Sequence, residues 1–117
     1  MNDEKLSLLV RRFAVAVRAH QAALEEMDEE RANAHSRVIS GLHTAILAEG
    51  DAGREALLAL LDHESLVVAG MAAVFSLRYN PVRSVEVLRM LSGKEGLLGF
   101  RASVALERWE NGEWDDP

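Results

Sequence analysis

Twenty-six residues from Arg54 to Tyr79, REALLALLDHESLVVAGMAAVFSLRY, form the most apolar part of the chain and constrain it most. Leu57, Leu58, Leu60 and Leu61 put leucine on most sides of a short helix, as expected where protein surrounds it. Asp62-His63-Glu64-Ser65 interrupts the apolar run, and the Ser65 hydroxyl is suited to cap a new helix. Val67, Val68, Met71, Ala72, Val74, Phe75 and Leu77 then recur at spacings of three and four, which predicts a buried helical face with Leu61, Met71 and Phe75 in the core. Asn80-Pro81 stops that helix, because the residue before proline is pushed out of the α region. Two short apolar helices joined by a tight polar turn predict an αα-hairpin.

The N-terminal half shows the same period. Leu6, Leu9, Val10, Phe13, Ala16, Val17, His20 and Leu24 predict an amphipathic helix from about Asp3 to Glu26, with Arg11, Arg12, Arg18 and Glu25 on its other side. Ala32, His35, Ile39, Leu42 and Ile46 carry the period to about Glu49. A single helix of that length would run for roughly 70 Å at 1.5 Å per residue, beyond the diameter of so small a domain. The chain therefore turns near Met27-Asp28, where Asp28 can cap and Glu29 and Glu30 suit the positive end of the next helix dipole. Gly50 suits a left-handed C-cap and Asp51 the following N-cap. Gly41, inside the second helix, marks either a close helix contact or a weak spot.

Beyond Pro81, Val85, Val87, Leu88, Met90 and Leu91 predict a short helix, Ser92-Gly93-Lys94 a turn, and Leu97, Leu98, Phe100, Val104, Ala105 and Trp109 a last amphipathic helix. A shift of about thirty residues lays Leu57, Leu58, Leu61, Val67, Ala72 and Val74 over Val87, Leu88, Leu91, Leu97, Ala102 and Val104, the mark of a helical repeat. No strand pattern appears. The expectation is an all-α chain of six helices in three stacked hairpins (1–49, 51–79 and 82–110) followed by an acidic tail, 111–117. Together they would make a single domain, a short right-handed α-α superhelix.

LLALLDHESLVVAGMAA followed by a second helix pair resembles a HEAT repeat. The run from Leu57 through Pro81 to Trp109, with His63, Val68, Ala72-Ala73, Asn80-Pro81 and a Trp-Glu-Asn-Gly-Glu-Trp ending, resembles a family of short bacterial HEAT-like proteins. That family is catalogued as domain of unknown function number two-thousand-and-nineteen. The likeness covers nearly the whole chain and rests on apolar pattern and turns. Glu64 and Ala69 stand where a HEAT repeat usually carries proline and arginine. The resemblance implies a HEAT-like fold and no activity.

Zero cysteines exclude a disulfide framework, a thiolate zinc site and a cysteine nucleophile. The start, MNDEKLSLLVRRF, has acids before its first apolar residues and arginines soon after, the wrong order for a secretory signal, and no apolar run approaches a membrane span. A cytoplasmic location is expected. Net charge is −6 and the 13 basic residues are scattered, so nucleic acid and membrane are poor partners and a basic protein a natural one.

Reactive constellations are scarce. His20 and His35 lie on apolar stripes six to eight positions either side of the expected turn, without a third donor for a metal. Asp62-His63-Glu64 is explained by helix ending and capping. No serine sits in a nucleophile elbow and no glycine-rich phosphate loop is present. The reading assigns no catalytic residue, no cofactor and no metal. It places partner binding on Trp109, Glu110, Glu113, Trp114, Asp115 and Asp116, because tryptophan anchors interfaces while acids steer a basic partner. The expected function is a non-catalytic protein-binding module, in its most concrete form an immunity-type protein that neutralises a bacterial toxin or effector domain by occlusion. The alternatives are a scaffolding repeat protein and a metal-dependent or acid-base enzyme using His20, His35 or His63.

Overall fold

A computed structural model describes residues 3–117, and its regular elements are helices: α1 (Asp3–Glu25), α2 (Glu29–Leu47), α3 (Asp51–Ala59), a 3-10 turn (Leu60–Asp62), α4 (Leu66–Ser76), α5 (Pro81–Ser92) and α6 (Leu97–Glu110). No strand occurs among the described residues. Contacts gather the elements into two compact units that meet in sequence at Ala59 and Leu60, inside the stretch that the sequence pairs as a central hairpin.

In the first unit α1 packs along α2 and both touch α3. The buried face of α1 carries Phe13, Ala16, Val17, His20 and Ala23, and that of α2 carries Ala32, Ile39 and Ile46, one residue every two turns. The turn between them falls where the charge pattern predicts it. Met27 adopts φ 60°, its N–H donates to the Leu24 carbonyl at 3.0 Å, and the Asp28 N–H donates to Ala23 at 2.9 Å, closing α1 in a Schellman arrangement. The Asp28 carboxylate then caps α2 by accepting from the Arg31 N–H at 3.1 Å. At the next joint Gly50 has φ 73°, as expected, but its own carbonyl accepts the Arg54 N–H at 3.1 Å. Asp51 therefore lies inside the first turn of α3 and pairs with Arg54 instead of capping. Two residues on, Gly53 is buried so closely over the end of α2 that an added Cβ would lie 1.8 Å from the Ile46 carbonyl oxygen.

The second unit opens with the 3-10 turn, which tightens the chain and brings both Leu60 and Leu61 inside. Ser65 caps α4, its hydroxyl accepting from the Val68 N–H at 3.4 Å. Seven of the eleven residues of α4 are buried, so the helix is enclosed on most sides. Met71 is an exception to the expected core: with Val67 and Val74 it forms a stripe at i, i+4, i+7 that is only partly covered. Close packing runs instead through the small residues. At Gly70 a Cβ would stand 2.9 Å from the Leu91 Cδ1 and 3.6 Å from the Leu98 Cδ1. Asn80 caps α5, with Pro81 in its first turn. α6 buries Gly99, Ala102, Ala105 and Leu106, and Gly99 sits where a Cβ would be 1.9 Å from the Lys94 carbonyl oxygen. That choice of face leaves Phe100, expected on the apolar side, 67% exposed.

Candidate partner-binding surface

The last turn of α6 and the tail derive their geometry from Gly112. Its φ of 72° reverses the chain, the Gly112 N–H donates to Trp109 at 3.2 Å, and the Glu113 N–H donates to Arg108 at 2.8 Å. A residue with a Cβ pays steric strain in that conformation, so the sequence Asn-Gly after a helix is a stop signal with a direction. Near its far end the tail meets the rest of the second unit through the Asp116 carboxylate, 2.7 Å from the Arg78 Nε just beyond α4. Both partners of that pair are largely solvent-exposed, which limits it to about 0–1 kcal/mol.

Between these two contacts Trp114 is half-buried, and its indole Nε1 is shielded from solvent with no hydrogen-bond partner among the described residues. Trp109 is half-buried as well. Glu110, Glu113, Asp115 and Asp116 are exposed. The six residues singled out by sequence thus divide into four accessible carboxylates and two aromatic side chains that show solvent only part of their surface. Beside them is a shallow depression lined by Ser92, Ser103, Leu106, Glu107, Glu110 and Asn111, of which only Glu110 was a sequence candidate. Ser103, Glu107 and Glu110 stand at i, i+4 and i+7, so the stripe was legible as one polar face of α6. The part played by Ser92, at the end of α5, depends on how α5 and α6 pack. Also on α6, burial holds the Arg101 guanidinium below the usual arginine value.

The histidines have local settings. His63 Nδ1 accepts the Ser65 N–H at 2.9 Å, and the neighbouring Asp62 carboxylate receives the Arg83 guanidinium at 2.7 Å. His63 is therefore engaged in closing the turn before α4 and Asp62 in pairing that turn with α5, while Glu64 is exposed. His20 is buried on α1 and His35 half-buried on α2. Among the described residues no three His, Cys, Asp or Glu side chains are grouped to hold a metal ion. No helix among them is long and apolar enough to cross a membrane.

The chain is similar in fold to the protein RPA1889 from Rhodopseudomonas palustris CGA009, known from a crystal structure, with a TM-score of 0.83 over 96% of this chain and 93% of that one. The two sequences are 24% identical, so the likeness speaks for the fold alone. No protein-family model matches the chain, and no curated protein matches it significantly.

Proposed function

We propose that this chain is a non-catalytic protein-binding module, an immunity-type protein that works in the cytoplasm by occluding a basic toxin or effector domain. The observation that carries the reading is the setting of Trp114. Its indole N–H is shielded from solvent and meets no acceptor among the described residues, so it is free to donate to a partner's acceptor. Its neighbours in the chain, Glu113, Asp115 and Asp116, and Glu110 at the end of α6 all present exposed carboxylates. A tryptophan poised among acids suits an anchor that a positive surface reaches by electrostatic steering.

A HEAT-like superhelix belongs to the same proposal, supported by the packed pairs α1–α2 and α5–α6, and so does membership of the short bacterial family resembled above, which rests on the sequence pattern alone. The test is binding to the cognate partner recovered from the native host. Reversing Glu110, Glu113, Asp115 and Asp116 to lysine should slow association at least about tenfold, and Trp114→Ala should mainly speed dissociation, by about thirtyfold for a central anchor. Unchanged rates in both variants would remove the interface from this surface and favour the scaffolding alternative.

A further inference from the structure

The outward face of α1 is patterned in a way that packing within the first unit does not use. Leu8, Val15 and Ala22 are exposed at seven-residue spacing, Leu8 at 39% and Val15 at 60%. One flank of this seam carries Arg11, Arg18 and Glu25 and the other Arg12, Ala19 and Glu26, all exposed except the half-buried Ala19. Arg11, Arg12, Arg18 and Glu25 form no ion pair among the described residues, and Glu26 meets Arg31 at 3.3 Å. The charges also run against the helix dipole: the C-terminal end holds Glu25 and Glu26, and no basic residue lies in the last turn. Acids at that end cost stability unless cations from elsewhere reach them.

The face is its own complement. Turning a second α1 antiparallel about a two-fold axis between Arg18 and Ala19 sets each flank against the same flank of the other copy. Arg11 then stands opposite Glu25, Arg12 opposite Glu26, and Val15 opposite Ala22, each contact occurring twice. We infer that α1 is a docking surface for a second copy of this chain, forming a weak antiparallel helix pair with closed two-fold symmetry. An anionic membrane or nucleic acid would use the three arginines but would be repelled by the glutamates at the same helix's end. Another acidic protein would leave Glu25 likewise unmatched and add nothing to Glu26, which has only its exposed pair with Arg31. The one cost is Arg18, which faces its own copy near the axis.

Sedimentation of the full chain across concentrations up to about 1 mM tests this. The wild type should move from monomer toward dimer, less so in high salt, where exposed ion pairs are screened. R11E/R12E and E25R/E26R should each weaken the dimer at least about tenfold, since four favourable contacts become like-charge ones. An equimolar mixture of the two variants should restore it, because every reversed residue then meets its opposite. Arg18→Ala should tighten the dimer several-fold. A wild type that stays monomeric, double variants as dimeric as the wild type, or a mixture that remains monomeric would each overturn the proposal. Where a double variant loses its helical circular dichroism, Arg18→Ala decides alone: tighter association supports the pairing, and unchanged or weaker association overturns it.

Discussion

Gly41 and Gly99 are both helical glycines, and only their surroundings tell them apart. Around Gly41 nothing lies within 4 Å of where a Cβ would be, so Gly41→Ala should stabilise the protein by about 0.5–1 kcal/mol through helix propensity alone. At Gly99 the same methyl would collide with the Lys94 backbone carbonyl, which belongs to the turn entering α6 and has little room to retreat. Gly99→Ala should lower the melting temperature while Gly41→Ala raises it, and a thermal melt of the two variants checks both signs. Met27 presents the opposite case, a side chain where glycine is the easier residue. It holds φ 60° and is 91% exposed, so its side chain returns little packing for the left-handed strain. Met27→Gly should therefore raise stability by about 0.5–1 kcal/mol in urea unfolding, the relieved strain outweighing the added freedom of the unfolded chain.

Element by element, the ends of the helices are where sequence and structure agree most closely. Asp28 and Ser65 accept a backbone N–H at the start of α2 and α4 as their positions predict, while Asn80, expected only to stop α4, also caps α5, and Asp51 lies within α3 instead of capping it. The apolar stretch between Arg54 and Tyr79 is more uneven. Leu61 is buried by the 3-10 turn, whereas Met71 sits on the partly covered stripe of α4. Leu61→Ala should cost about 2–5 kcal/mol, and Met71→Ala clearly less because part of that side chain is already in water. Equal losses in urea titrations of the two variants would mean that the Val67-Met71-Val74 stripe is covered after all.

For the molecule as a whole, charge is the property that reaches furthest. The net charge is −6, and exposed acids stand both at the turn after α1 and around the tail. Association with a positively charged partner should therefore slow steeply as salt rises, with the dissociation rate changing much less. Stopped-flow mixing at several ionic strengths measures this. In the variant with Glu110, Glu113, Asp115 and Asp116 reversed, the salt slope should flatten. A slope that persists unchanged would shift the steering to Glu25, Glu26, Glu29 and Glu30.

Periodicity and capping are local properties, and the sequence determined most of them by itself: the all-helical class, the turn at Met27-Asp28, the caps at Asp28 and Ser65, the stop at Asn80-Pro81, and the apolar face of α1. Each depends on residues within one or two turns of one another. Which side of an apolar helix is covered depends on neighbours distant in sequence, and only the tertiary structure decided that. It buries Gly99 and Ala102 while exposing Phe100, leaves Met71 at an edge, and sets the break between the two compact units inside the stretch that hydropathy alone joins. At the surface the residue types of the tail were legible, but the return of Asp116 to Arg78 and the shielding of the Trp114 Nε1 were not. Those contacts follow from the reversal at Gly112 and from where α4 ends in space, and no spacing rule along the chain encodes that distance.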